Sequence, residues 1–297
     1  RSGESMTVLS NSEQGTLLSD PTHFKQELRW GSHTSLSLTT VASLSRGYQL
    51  TDVMNHFQNW YKKRQFAPER TRQRIDVVTK KAMDNYSKNR DTLASGILED
   101  VADSEDILVR MLPVALYLHH EYGVSFINDE SAMLTLHRIA GLTHNAEGAL
   151  VSVGMLSLIV SQILEKQPIR DAVENGLAFG FEYYSRHKVF ESELNAFEEL
   201  NLPDFANIPV GNIVLDGRSA STLEAIIWSL LNSQNYTEAM KNAFMHGHAN
   251  SIVPTVVSAI AAIIYQEELV IQASEHLTSR KLIVSVTNQA ERLGRFN

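Results

Sequence analysis

Apolar residues along this chain recur at three- and four-residue intervals nearly everywhere, the spacing that lines one face of an α-helix. Leu50, Val53, Met54, Phe57, Trp60 and Tyr61 trace one stripe, with Thr51 or Asp52 suited to cap its start. The preceding helix carries Leu36, Leu38, Val41 and Leu44, and Gly47 is placed to end it. Further helices are expected over 107–122, where Pro113 is either a kink or a late first-turn proline, and over 131–140. The window 146–164 is apolar on almost every face, which assigns it to the centre of a bundle. Glu147, Ser152, Ser157, Ser161 and Gln162 interrupt it too often for a membrane span.

Pro168 opens a segment running to about Ser185. Residues 191–217 read as a long irregular connection marked by Pro203, Pro209, Gly211 and Gly217. Helical spacing resumes over 221–231, 237–245 and 251–265 before a more polar C-terminal segment. No two-residue alternation is sustained and no repeat is visible. The pattern predicts a single all-α domain over residues 6–297.

Composition narrows the partners. The chain has 297 residues, 43% of them hydrophobic, and a formal charge of −8 from 34 acidic and 26 basic side chains. An acidic surface is poorly suited to wrapping phosphate backbones, so no nucleic acid is expected. The basic run Lys62-Lys63-Arg64, followed by Arg70, Arg72, Arg74, Lys80 and Lys81, lies on and after a helix end and reads as a solvated face. Cysteine is absent, which rules out disulfides and thiolate chemistry and favours a reducing compartment, so a cytoplasmic location and no membrane partner are expected. Residues 1–5 read as a cloning remnant ahead of Met6, with no apolar leader.

Candidate chemistry collects in two turns, Trp30-Gly31-Ser32-His33-Thr34 and His246-Gly247-His248-Ala249-Asn250-Ser251. Each opens an apolar helix and is rich in side chains that bind metals or anions, yet neither holds an aspartate or glutamate. Other groupings are weaker. Glu105 and Asp106 are candidates for acid–base work, although adjacent residues on a turn usually point apart. Ser32 has no base beyond its neighbour His33. His119-His120-Glu121 lacks the H-E-x-x-H spacing of a zinc helix.

The order of these segments resembles the ADP-ribosylglycohydrolase family. Residues 28–61, from Leu-Arg-Trp-Gly-Ser-His-Thr to Asn59-Trp60-Tyr61, are similar to the family's first block, W-[ST]-D-D-T followed by an apolar helix. Residues 102–118 are similar to its N-G-N-G-[SA]-L-M-R-x-x-P-L-A block, Leu142-Thr143-His144 to its L-T-H turn, and 222–262 to its terminal block with a G-G-D-T-D-[ST] turn. The resemblance spans roughly residues 24–265. It implies a compact orthogonal bundle of many helices around a cleft. In active members two magnesium ions in that cleft serve hydrolysis of an ADP-ribosyl glycosidic bond. It also implies ADP-ribose or a related nucleotide as partner, and a wall-supporting role for Thr143-His144.

The departures from the pattern bear on function. Ser32 and His33 occupy the two aspartate positions of the first block, with Thr34 retained; His248 and Asn250 replace those of the last, with Ser251 retained; Ser104-Glu105-Asp106 stands where G-N-G would approach the ligand. No counterpart of the family's opening helix is found in residues 6–23. Magnesium wants oxygen ligands at about 2.0–2.1 Å, usually with carboxylates among them. A unit-charge pair at 4 Å is worth roughly 4 kcal/mol at an effective dielectric of 20, and a dication doubles it. Neutral residues at four aspartate positions remove several such terms, so no bound cofactor is expected.

Three roles follow as expectations. One is a catalytically degenerate family member with a binding or regulatory role. Another is a hydrolase with a rebuilt site, metal-free or holding a transition metal through His33 and His248 with Glu105 or Asp106. The last is an assembly protein, whose uncovered groove is filled by residues 6–28, a second copy or another protein.

Overall fold

The computed structural model describes residues 28–246, 252–266 and 274–296. Those residues form an all-α bundle, with only isolated bridges, Leu28 to Leu277 and Ile97 to His144, between extended segments. In chain order the helices are α1 (Ser32–Leu44), α2 (Leu50–Lys63), α3 (Val77–Asn89), α4 (Ile107–Tyr122), α5 (Glu130–Ala140), α6 (Glu147–Leu164), α7 (Ile169–Ser185), α8 (Ser219–Leu231), α9 (Tyr236–Met245), α10 (Val253–Tyr265) and α11 (Arg280–Leu293). The expected opening-helix gap, the start at Met6 and the positions of His248, Asn250 and Ser251 lie outside the described residues.

Helix α6 is the centre. By length and composition it is apolar enough to cross a membrane, but 89% of it is buried inside the molecule. It packs against α4, α5, α7 and α8, so every face meets protein. Two of its buried serines reach neighbouring helices: Ser152 Oγ lies 2.7 Å from Ser219 Oγ on α8, and Ser161 Oγ lies 2.8 Å from His119 Nδ1 on α4. The most extensive pairing among the described helices is α6 with α7, and Gly176 permits it: a Cβ there would stand 2.7 Å from the backbone Cα and N of Ile159.

Pro113 lies in the second turn of α4, and its missing N–H leaves the Val109 carbonyl without its helical donor. Ser37 on α1 approaches it: its hydroxyl, bonded to His33 O at 3.0 Å, also lies 3.4 Å from Val109 O. The helix break thus becomes a link between α1 and α4.

The structure corrects some local expectations. Helix α2 begins at Leu50 with Gln49 at the cap, so neither Thr51 nor Asp52 caps it. Asp52 instead accepts from Ser43 Oγ at 2.5 Å, tying α2 to the end of α1. Helix α3 was not expected, because its buried stripe (Val78, Ala82, Met83, Tyr86) is narrow among lysines. Asp76 starts it by accepting from the Thr79 N–H at 2.6 Å. The basic side chains from Lys62 to Lys81 are exposed. The 191–217 connection is ordered into 3-10 turns over Glu191–Asn201, Phe205–Asn207 and Val210–Asn212, anchored by buried Phe197, Leu200 and Phe205.

Gly176→Ala is expected to destabilise the protein by about 1–3 kcal/mol, because backbone cannot yield as a side chain can. Chemical unfolding of the variant checks this, and an unchanged midpoint would show that α6 and α7 separate freely.

Candidate active-site crevice

Four segments converge at one end of the bundle: the first turn of α1, the cap of α3, residues 103–106 leading into α4, and the turn between α5 and α6. The head of α1 is fixed by Gln73, which donates to Trp30 O at 2.9 Å and accepts from the Trp60 indole at 2.8 Å. Ser35 Oγ lies 2.8 Å from the same Gln73 oxygen and accepts from the Trp30 indole at 3.2 Å. This network leaves Ser32 buried, and His33 and Thr34 half-buried.

The turn that carries His144 is held from two sides. Ile97 donates to Thr143 O at 2.9 Å and accepts from the Asn145 N–H at 2.8 Å. Gly96 makes that approach possible, since a Cβ there would lie 1.9 Å from the Gly141 carbonyl oxygen. From within, Arg110 of α4 donates to the carbonyls of Ile139 (3.2 Å) and Ala140 (2.9 Å) and to the Thr143 hydroxyl. Its guanidinium is fully buried and stacks 5.3 Å from the Phe57 ring centroid. Burial lowers its pKa to about 9, partly offset by the charge of Asp76.

His33 Nε2 lies 3.3 Å from Asp106 Oδ1. Ligand atoms of Asp76, Asp106 and His144 all fall within 4.8 Å of one another. Burial raises the Asp106 pKa and the charge of Asp76 adds to it, while His33 and Arg74 oppose. His144 is wholly buried; its ring nitrogens lie 2.8 Å from Thr143 Oγ1 and 3.1 Å from Ser104 Oγ. Burial lowers its pKa to about 3, which leaves the imidazole neutral.

Glu105 and Asp106 diverge. Glu105 turns to α8, where it accepts from Thr222 Oγ1 at 3.2 Å, and burial raises its pKa. Asp103 forms a second buried carboxylate node, accepting from Arg218 Nε at 2.9 Å and from Ser219 Oγ. Of the second candidate turn only His246 is described, its ring edge-on to Trp228 at 5.0 Å. His119 stands elsewhere, on the last turns of α4, with Ser161 Oγ 2.8 Å from its Nδ1.

The sequence matches the ADP-ribosylglycohydrolase family model over residues 4–293, nearly its whole length. The chain belongs to the ADP-ribosylglycohydrolase family. No curated protein matches it. A solved structure described as an ADP-ribosylglycohydrolase-related protein complex superposes with a TM-score of 0.64 at 20% identity, covering 89% of this chain and 82% of that one, a likeness of fold.

In this ADP-ribosylglycohydrolase-family chain, sequence reasoning reached His33, Asp106, Ser104 and His144, which the structure brings together. It passed over Asp76, Asp103 and Arg110 as site residues. Two signals were available: Asp76-Val-Val-Thr79 has the form of a helix cap, and Arg110 is a lone cation within an apolar helix, where burial needs partners.

The buried histidines make stability depend on acid. His137 on α5, 2.8 Å from the Tyr184 hydroxyl, has its pKa lowered to about 4 by burial and the neighbouring His187. His137 and His144 stay neutral when folded, whereas unfolded histidine takes a proton near pH 6.5. Their contribution is therefore whole above about pH 6.5 and is lost as pH falls toward 4 and then 3. His137 alone is expected to cost roughly 3 kcal/mol by pH 4. Urea midpoints measured from pH 7 to 4 check this, with a shallower slope expected for His137→Phe.

Proposed function

We propose that this protein has kept the family's crevice as a binding site for ADP-ribose or a related nucleotide, without two-magnesium hydrolysis, and serves a binding, regulatory or assembly role. The observation that carries the reading is the 3.3 Å contact between His33 and Asp106. The family block places a carboxylate where His33 stands, and here an imidazole faces the nearest acid instead.

The donor set does not fit a magnesium pair. The first-block positions offer two hydroxyls and an imidazole. Asp76 and Asp106 supply the nearby carboxylates, and each already has a partner: Asp76 Oδ1 accepts from the Thr79 N–H and Asp106 Oδ1 faces His33. Two hard dications ask for many more oxygens than that. Positive charge around the acids comes instead from the protein, with Arg110 interacting with Asp76 and Arg74 with Asp106. The helices α1 and α4 also begin at this end of the bundle without a side-chain cap, where the helix dipole suits an anionic ligand such as a pyrophosphate.

A second reading rests on a different observation, the mutual approach of Asp76, Asp106 and His144. One neutral imidazole and two carboxylates suit a single ion of the zinc, iron(II) or manganese class better than a magnesium pair. In that reading the crevice is a rebuilt hydrolase site on the same class of substrate, with His33 beside the ligands.

A thermal-shift series with ADP-ribose, AMP and NAD, each with magnesium or with chelator, tests the first reading. A rise of at least about 3 °C with a hundredfold excess of ADP-ribose over its Kd is expected, equal in both conditions. No release of ADP-ribose from ADP-ribosyl-arginine or ADP-ribosyl-serine is expected. Elemental analysis of untagged protein separates the two readings. A one-to-one transition metal, with turnover abolished by His33→Ala or Asp106→Asn, would transfer support to the second.

A further inference from the structure

A cleft of about 360 Å³ opens between α2 and the end of α3, within the roughly 300–1,000 Å³ range of small-molecule sites. Asn55, Gln58, Asn59, Lys62 and Lys63 of α2 line it, together with Arg90 just beyond α3. The α2 residues stand at i, i+3, i+4, i+7 and i+8, so they share one face of that helix. None of the six belongs to the crevice.

The packing of α2 on α3 fixes the floor. Buried Gln58 donates through Nε2 to Met83 O at 2.7 Å and accepts from Ser87 Oγ at 3.0 Å. Asn55 Oδ1 accepts from the Tyr86 hydroxyl at 3.2 Å, which leaves its amide nitrogen without a protein partner among the described residues. The Arg90 guanidinium lies over the same Tyr86 ring, 5.6 Å from the centroid, and so is directed back toward α2. Its backbone is left-handed, with φ 58°, at a cap where glycine or asparagine is usual.

The charge of the lining says what it takes. Lys62, Lys63 and Arg90 are exposed, so a solute can reach them, and no carboxylate is among the lining residues. Lysines of α3 have acids beside them: Lys80 meets Asp84 at 2.7 Å and Lys81 meets Glu99 at 3.0 Å. Lys62, Lys63 and Arg90 have no ion-pair partner among the described residues. Helix ends account for only part of this. The C-termini of α2 and α3 each carry roughly half a negative charge, which offsets about one of the three cations. An excess of about two positive charges remains, in a chain whose net charge is −8. Two ammonium groups, a guanidinium fork and the amides of Asn55 and Asn59 can donate to several oxygens of one tetrahedral anion.

We propose that this cleft binds a phosphate group, as inorganic phosphate or as the phosphate monoester of a small molecule. Such a group carries about −1.5 to −2 charge at neutral pH, which matches the excess. The site is independent of the crevice and does not rest on the reading given to it.

Phosphorus NMR titration of the full chain with inorganic phosphate and with ribose 5-phosphate tests the assignment. Saturable binding of at least one, with a millimolar or tighter Kd, is expected; a preference for ribose 5-phosphate assigns the site to monoesters, and equal affinity to phosphate itself. Lys63→Gln and Arg90→Gln lie on the surface and leave the core intact, and each is expected to weaken binding at least fivefold. Lys81→Gln removes the same charge outside the cleft and is expected to change it less than twofold. Absence of binding by both compounds would overturn the proposal, as would binding that survives both cleft variants or falls as far with Lys81→Gln. The ADP-ribose thermal shift is expected to persist in the cleft variants, so the two sites are judged separately.

Discussion

Arg110 takes a full charge into the interior of α4, where the groups that receive it are carbonyls at the end of α5, one threonine hydroxyl and the face of Phe57. The end of α5 carries negative partial charge from its unsatisfied carbonyls, so a guanidinium is a suitable partner there. Both ends of the contact matter. On one side it orders the Leu142-Thr143-His144 turn; on the other it fixes the rotation of α4, and with it the direction of Asp106 one turn earlier. Removing a buried cation that holds several acceptors would strand all of them at once. The crevice therefore inherits its geometry from a residue that lies behind it.

Helical spacing made most of the bundle readable from the chain. The expected 107–122 segment coincides with α4, and 131–140, 146–164 and 237–245 differ from the observed helices by a residue at one end. These segments share a wide apolar stripe or complete burial, conditions under which the 3.6-residue period is strong. Helix α3 shows the opposite case. Its inward residues are few, its surface is lysine-rich, and its start depends on a cap that Asp76 forms only once Thr79 is helical. The cap of α2 failed for a related reason: Asp52 is drawn to Ser43 on the neighbouring helix, a contact no local pattern announces.

Legibility of the crevice followed the same division. Family order located His33, Ser104, Asp106 and His144, since each belongs to a recognisable block. Asp76 lay between blocks, in a stretch dominated by arginines, and its nearness to Asp106 and His144 depends on how α3 docks. Asp103 was similarly hidden, because its partners Arg218 and Ser219 are more than a hundred positions away. A one-dimensional pattern reports which face of a helix turns inward. It does not report which two helix ends will meet.

The burial of α6 on every side limits how the molecule can respond to anything it binds. A close-packed helix cannot swing sideways without opening a void on one flank and a clash on the other. Gly176 tightens this further by bringing α7 against the α6 backbone itself. The centre of the bundle is therefore a rigid frame, and room for movement is left to the turns at its helix ends.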